Sequence, residues 1–248
     1  MSRQVSVPIR LRLGMKCGRV CAMPDCKANL LPEITENVET NISENAHIMG
    51  FSKNGPRAEK DLTDLEKNSE DNLILVCANC HTIIDKNPKI YTTPKLQKIK
   101  KEHEKEVLDK WIEDAPNVGF SELEDVLKYL ASDVVTTQDE YTLLKPKEKI
   151  QKNNLSEHIA QLILRGMIGS NQVDQYLEKH PNPQQGDQIR ERFVQEYNRL
   201  RNEEKIKDDD LFYSLFDFAS LHSNEKTKTR AGLSVLVYLF EKCEVFEK

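Results

Sequence analysis

Four cysteines in two tight pairs constrain this chain more than any other feature of its sequence. Cys77-Ala-Asn-Cys80 is a C-x2-C turn, and Cys21-Ala-Met-Pro-Asp-Cys26 supplies a second pair with a Pro-Asp turn between its members. Two such pairs make a tetrahedral thiolate site for Zn²⁺, which is soft enough to prefer sulfur and has four ligand places to fill. Cys17 is either a spare buried thiol, the preferred reading, or a competitor that pairs with Cys21. Cys243 stands apart near the end of the chain and reads as a core residue. Cys80-His81 also completes a C-x-x-C-H string of the kind that attaches c-type haem. The opening residues Met1 to Arg10 hold no uninterrupted apolar segment, so export is not expected and the thiols are expected in a reducing cytoplasm, where they bind metal more often than they form disulfides. With a partner pair upstream, zinc is the stronger reading.

The remaining composition separates two halves. The 248 residues suffice for one or two domains. The longest nearly apolar run, Ala231 to Phe240, is half of the roughly 20 residues a membrane-spanning helix needs. Residues 1–115 carry 18 basic and 18 acidic side chains, and the rest 18 and 23, so the second half is the acidic one. Basic residues gather near Arg3 to Lys27 and again from Lys86 to Lys105. Such bunching attracts phosphates, although the second run is interleaved with Glu102, Glu104 and Glu106 as on a solvated helix.

Helical spacing dominates after the cysteines. Leu96, Ile99, Val107 and Trp111 place a helix over 95–113, and Asp114 to Gly119 reads as a linker. Ser121 and Glu124 form a capping-box signature ahead of Leu123, Val126, Leu127 and Leu130. Further apolar stripes predict helices over Leu155 to Met167, Val173 to Leu177, Ile189 to Leu200, Leu211 to Phe218 and Ala231 to Phe246. The N-terminus is ambiguous: Val5 to Leu13 alternate as in a strand, whereas Pro8 and Gly18 sit where a short helix would begin and end.

Between the cysteine pairs stand Glu44-Asn-Ala-His47-Ile, Gly55-Pro-Arg57 and Asp71-Asn72-Leu, followed by Cys80-His81-Thr-Ile-Ile-Asp85. The order His47, Asn72, His81 within these linked motifs resembles the HNH nuclease family in its four-cysteine, zinc-bound form, over roughly the first 110 residues. The resemblance implies a ββα-metal fold in which a first strand ends at His47, Leu73 to Val76 form a second, and a short helix opens at the cysteine turn and carries His81. It implies hydrolysis of DNA phosphodiesters, with His47 as general base, Asn72 orienting the loop or the base, and His81 holding a divalent ion, Mg²⁺ or Mn²⁺. Asp85, four residues after His81 and so on the same helical face, is a second candidate ligand or simply a cap or surface ion pair. Arg57 is a candidate phosphate grip, or a merely exposed loop arginine. Many family members place an acidic metal ligand directly before the first histidine; here that position is Ala46, which leaves Glu44 and Asp85 as candidate substitutes. His103, His158, His180 and His222 read as ordinary helix or surface residues.

The stretch from Tyr141, with Lys145-Pro-Lys-Glu-Lys-Ile-Gln-Lys-Asn-Asn-Leu-Ser156, and the ending Leu236 to Glu247 resemble the helical C-terminal domains of effectors in bacterial ABC-three-component conflict systems. This implies docking on an ABC-type ATPase in phage or plasmid defence. The plainer alternative is a helical half that forms a homo-oligomer or contacts only the nuclease module. The expected class is therefore α+β: a zinc-stapled HNH module over 1–115 and an all-helical assembly or regulatory domain over 116–248. Its rival is a non-catalytic zinc-ribbon binding module with a decayed HNH site, which Ala46 favours and the intact His47, Asn72 and His81 oppose.

Overall fold

The ambiguous N-terminus is a helix. In a computed structural model that describes residues 5–35, 38–59, 62–114, 118–131, 146–223, 225–242 and 246, α1 spans Val7–Lys16 with Pro8 in its first turn. The missing N–H of proline costs nothing there. Gly18, at φ 59°, turns the chain out of the helix. Arg12 is buried on α1 because its Nε donates to Glu70 Oε2 at 3.1 Å, and Lys16 pairs with the same carboxylate.

The chain divides into two compact units, Met1–Val107 and Leu108–Lys248. After α1 the first unit continues with a short antiparallel pair, β1 (Glu33–Thr35) and β2 (Val38–Glu39). Next come β3 (Ser43–His47), α2 (Asp64–Lys67), a 3-10 turn (Glu70–Asn72), β4 (Leu73–Cys77) and α3 (Ala78–Lys86). β3 and β4 pair antiparallel, with Ser43 opposite Cys77 and His47 opposite Leu73. That register sets one end of the ribbon beside the cysteine turn and the other beside Asn72. Leu73, Ile74, Leu75 and Val76 are all at most 5% exposed, so β4 is buried on both faces, as a run without polar alternation requires. Leu13, Cys17, Leu30, Ile48, Ile84, Leu96 and Ile99 complete this core.

The helix expected over 95–113 is α4 (Thr93–Asp114), and the unit boundary falls inside it. Leu96, Ile99 and His103 are buried in the first unit, while the Trp111 ring packs edge-on to Phe216 at 5.0 Å in the second. The units thus part eight residues before the expected boundary at 115/116; residues 115–117 of the expected linker lie outside the described residues.

The second unit is helical throughout its described residues: α5 (Phe120–Leu130), α6 (Pro146–Lys152), α7 (Glu157–Lys179), α8 (Gln185–Asn198), α9 (Asp208–Ala219) and α10 (Lys226–Lys242). A five-residue π turn, Arg199–Glu203, follows α8. Gly119, in extended conformation, caps α5 in place of the expected Ser121, and Glu122 rather than Glu124 reaches back to the Gly119 N–H at 3.4 Å. The two helices expected over 155–177 are one, α7. Its Gly166 and Gly169 let α10 approach closely. A Cβ at Gly166 would lie 2.7 Å from Val237, and one at Gly169 would fall on the Ser234 hydroxyl. Lys149 of α6, only 1% exposed, donates to the Phe240 carbonyl at 2.7 Å, placing a cation at the C-terminal end of α10 where carbonyls lack helical partners. The core position expected for Cys243, and the start of the motif at Tyr141 to Lys145, lie outside the described residues. Among the described residues no helix is long and apolar enough to cross a membrane.

Candidate metal centre and histidine cleft

Backbone bonds hold the first cysteine pair, and Cys21 Sγ also accepts from the Cys77 N–H at 3.4 Å. Cys26 N donates to Met23 O at 3.0 Å across the Pro24-Asp25 turn, and Cys21 N to Ala28 O at 2.8 Å. Ala22 N then donates to Leu75 O at 3.1 Å, which fastens the turn to β4. The second pair sits where β4 becomes α3, with Cys77 as N-cap and Cys80 in the first turn. As a result the Sγ atoms of Cys21, Cys26, Cys77 and Cys80 all lie within 4.8 Å of one another. Sulfurs 2.3 Å from a tetrahedral Zn²⁺ are about 3.8 Å apart, and Cys26 and Cys77 are separated by 3.8 Å. The cluster can hold a metal ion such as zinc. Cys17 is outside it, buried, donating to Gly14 O at 3.4 Å, and burial pushes its thiol up to about 12.

Farther along the same elements lies a cleft of about 400 Å³ that His47, Asn45, Phe51, Arg57, His81 and Asp85 help to line. His47 ends β3; its Nε2 is 3.1 Å from Asn68 Oδ1 and its ring tilts against Phe51 at 5.4 Å. His81 and Asp85 are one turn apart on α3, with His81 Nε2 3.5 Å from Asp85 Oδ2. Glu44 Oε2 lies 2.7 Å from the other ring nitrogen, His81 Nδ1. Adjacent ligands of an octahedral cation with bonds near 2.1 Å stand about 3.0 Å apart. His81 Nε2 and Asp85 Oδ2, at 3.5 Å, stand somewhat farther apart than that. Among the described residues, the four cysteines are the one group of three or more such ligand atoms already drawn together.

Asn72 and Arg57 hold this cleft from behind. Asn72 is 1% exposed; its Nδ2 donates to Met49 O at 3.0 Å and Lys67 O at 2.9 Å, and its Oδ1 accepts from Met49 N at 2.8 Å. Of the two tasks expected for Asn72, orienting the loop is the one these bonds perform. Arg57 does not reach outward for phosphate. Its side chain is 3% exposed and spends four of its five N–H groups on the carbonyls of His47, Ile48 and Ile84 and on Asp85 Oδ1. It ties the end of β3 to α3, and so sets the distance between the two histidines.

One participant was hidden, and one histidine outside the site is buried where a surface position was an option. Asn68 was not singled out by the sequence, although Thr63-Asp-Leu-Glu66 carries a capping-box signature that marks α2, and Asn68 is the residue that ends that helix. His103 is a buried wedge, 5% exposed, whose Nε2 contacts Cys17 O at 3.0 Å and whose Nδ1 lies 3.0 Å from Lys27 Nζ; burial and that ammonium hold it below the usual histidine range.

Comparison with known families gives one finding. Residues 121–247, about half of the chain, match the model of C-terminal domain 10 of the ABC-three component (ABC-3C) systems. Comparison with curated proteins finds no match.

Proposed function

The chain belongs to this C-terminal domain 10 family of ABC-three component systems, and we propose that it is the nuclease-bearing component of such a system, an endonuclease of the HNH type that hydrolyses DNA phosphodiesters. The observation that carries this reading is the convergence of His47, His81 and Asp85 on one cleft, on a strand–strand–helix unit whose corner is fastened by four cysteines. In this reading the cysteine cluster holds a structural Zn²⁺, since four thiolates leave no open place for substrate. His47 takes the proton from the attacking water. Asn72 keeps the strand end and the following loop in register, and Arg57 keeps α3 at the working distance. His81 and Asp85 hold a Mg²⁺ or Mn²⁺ ion, which when bound stabilises negative charge on the phosphate and the leaving oxygen. The helical unit docks on the ABC-type ATPase of the system, and its acidity keeps it from competing for DNA.

Ala46 is the feature that favours a decayed, purely binding module. Asn45 and His47 line the cleft, but Ala46 between them is fully buried in the core. A carboxylate at that position would be buried away from water, so its absence removes no ligand that this strand could present.

The test is incubation of the full chain with supercoiled plasmid and, separately, with RNA, in Mg²⁺ or Mn²⁺, with EDTA as control. Cleavage of DNA is expected, abolished by EDTA and by His47→Ala, while the zinc content of that variant stays unchanged. Parental cutting rates in His47→Ala would overturn the mechanism, and cutting of RNA alone would overturn the substrate.

A further inference from the structure

We propose that Glu44 is a positioning residue for His81, fixing the tautomer that carries its proton on Nδ1 so that Nε2 is the nitrogen offered to a divalent cation; the inference rests on the reading of the cleft as a divalent-ion site. The backbone brings the two residues together. Glu44 faces Val76 across the ribbon, one residue before Cys77, and α3 starts immediately after that cysteine, so His81 in its first turns rises beside the strand. Glu44 Oε2 then stands 2.7 Å from His81 Nδ1, the length of a charge-assisted hydrogen bond. A carboxylate only accepts, so Nδ1 carries the proton.

The other side of the ring agrees. His81 Nε2 faces Asp85 Oδ2 at 3.5 Å, longer than a hydrogen bond, while Asp85 Oδ1 is taken by Arg57 at 2.8 Å. With the proton on Nδ1, Nε2 presents a lone pair beside a carboxylate oxygen, which is a two-donor edge for a cation. With the proton on Nε2 instead, Nδ1 would turn a lone pair toward a carboxylate 2.7 Å away, and Nε2–H would reach nothing at bonding distance. Glu44 and Asp85 approach different nitrogens of one ring, so they have different work. Asp85 is the candidate ligand. Glu44 stands behind the histidine as a carboxylate commonly stands behind a metal-bound imidazole. Arg57, Asp85, His81 and Glu44 thus form one chain from the end of β3 across α3 and back to the start of β3.

The experiment uses the zinc-loaded full chain in two measurements. The first is nitrogen-15 NMR of the His81 ring, without added Mg²⁺ or Mn²⁺ and followed upward in pH until the ring is neutral, with the signals assigned by their loss in His81→Ala. The second is calorimetric titration with Mn²⁺. The wild type should show a protonated Nδ1. Glu44→Ala should shift the ring toward the Nε2-protonated form and weaken Mn²⁺ binding about 10- to 100-fold, with zinc content unchanged. Glu44→Gln, whose amide oxygen still accepts, should keep the Nδ1–H tautomer and hold Mn²⁺ more tightly than the alanine variant. A proton on Nε2 in the wild type, or a tautomer that ignores Glu44→Ala, would overturn the proposal. So would a glutamine variant as weak for Mn²⁺ as the alanine one with its tautomer intact, because Glu44 would then be a ligand itself. A wild type that shows both expected responses and cuts no nucleic acid would defeat the nuclease reading and support this one.

Discussion

Arg57→Ala separates the two tasks a glycine-proline-arginine loop can perform. If Arg57 is the buried tie described above, three carbonyls, those of His47, Ile48 and Ile84, lose a charged donor at once. At about 1 kcal/mol for each such loss the total is about 3 kcal/mol. Asp85 adds little, being 41% exposed, because water replaces the guanidinium there. Release of the buried charge itself recovers part of its desolvation cost, so about 3 kcal/mol is the upper end of the expected loss. Backbone strain does not enter: Arg57 sits at φ 52°, and alanine bears the same left-handed penalty as arginine. Denaturant unfolding followed by zinc release reports on the cysteine-bearing unit directly, and Arg57→Lys, which keeps the charge but not the four-way fork, should recover only part of the loss. DNA binding measured against salt concentration supplies the contrast. A phosphate contact would give Arg57→Ala a shallower salt dependence, by about one unit of slope, with stability hardly touched. That result, or a stability loss under about 1 kcal/mol, would refute the reasoning from the hydrogen bonds.

Two further outcomes follow from the same unit. Elemental analysis should find one zinc per chain; Cys77→Ser should lose it and unfold the first unit, since structural zinc contributes on the order of 10 kcal/mol in small folds, whereas Cys17→Ser should keep it, and zinc lost from the Cys17 variant but kept by Cys21→Ser would reverse the ligand assignment. Glu70 gives a pH dependence: burial raises its pKa, but Lys16 and Arg12 outweigh that and leave it below the usual carboxylate range. A depressed folded pKa means stability that is fully present above the unfolded value near 4.5 and is lost as pH falls through the folded one; the acid limb of zinc-release unfolding should therefore flatten in Glu70→Gln, and an unchanged limb would show the pairing to be inert.

What the sequence revealed and what it hid divide along physical lines. The cysteine turns are local, each pair a few residues apart, and metal chemistry demands them together, so the cluster of Cys21, Cys26, Cys77 and Cys80 was legible. The strand ending at His47, the strand after Asn72 and the helix carrying His81 were legible through the resemblance of the linked motifs to the HNH family, and the cysteine turn marks only where the second of those strands stops and the helix begins. Arg57 was not. Its partners are backbone carbonyls at 47, 48 and 84, and a carbonyl leaves no mark in a sequence. The continuity of α7 was hidden by its own packing: Gly169 falls in the gap between the two expected stripes because Ser234, far along the chain, fills the space a side chain would take. The boundary inside α4 was hidden likewise, since one unbroken helix serves two cores. α1 could be read either way until Glu70 explained why a buried arginine belongs on it.

Arg57 and Asn72 grip main-chain atoms almost exclusively: the carbonyls of residues 47, 48, 49, 67 and 84, and the Met49 N–H. A frame addressed to the backbone is blind to the side chains it passes. Phe51 is the exception, since its ring packs against His47, but Ser52, which lines the cleft on the loop leading out of β3, can be exchanged without altering any bond of that frame, and this part of the wall can be rewritten to suit a different substrate while the parts that would do the chemistry stay where they are.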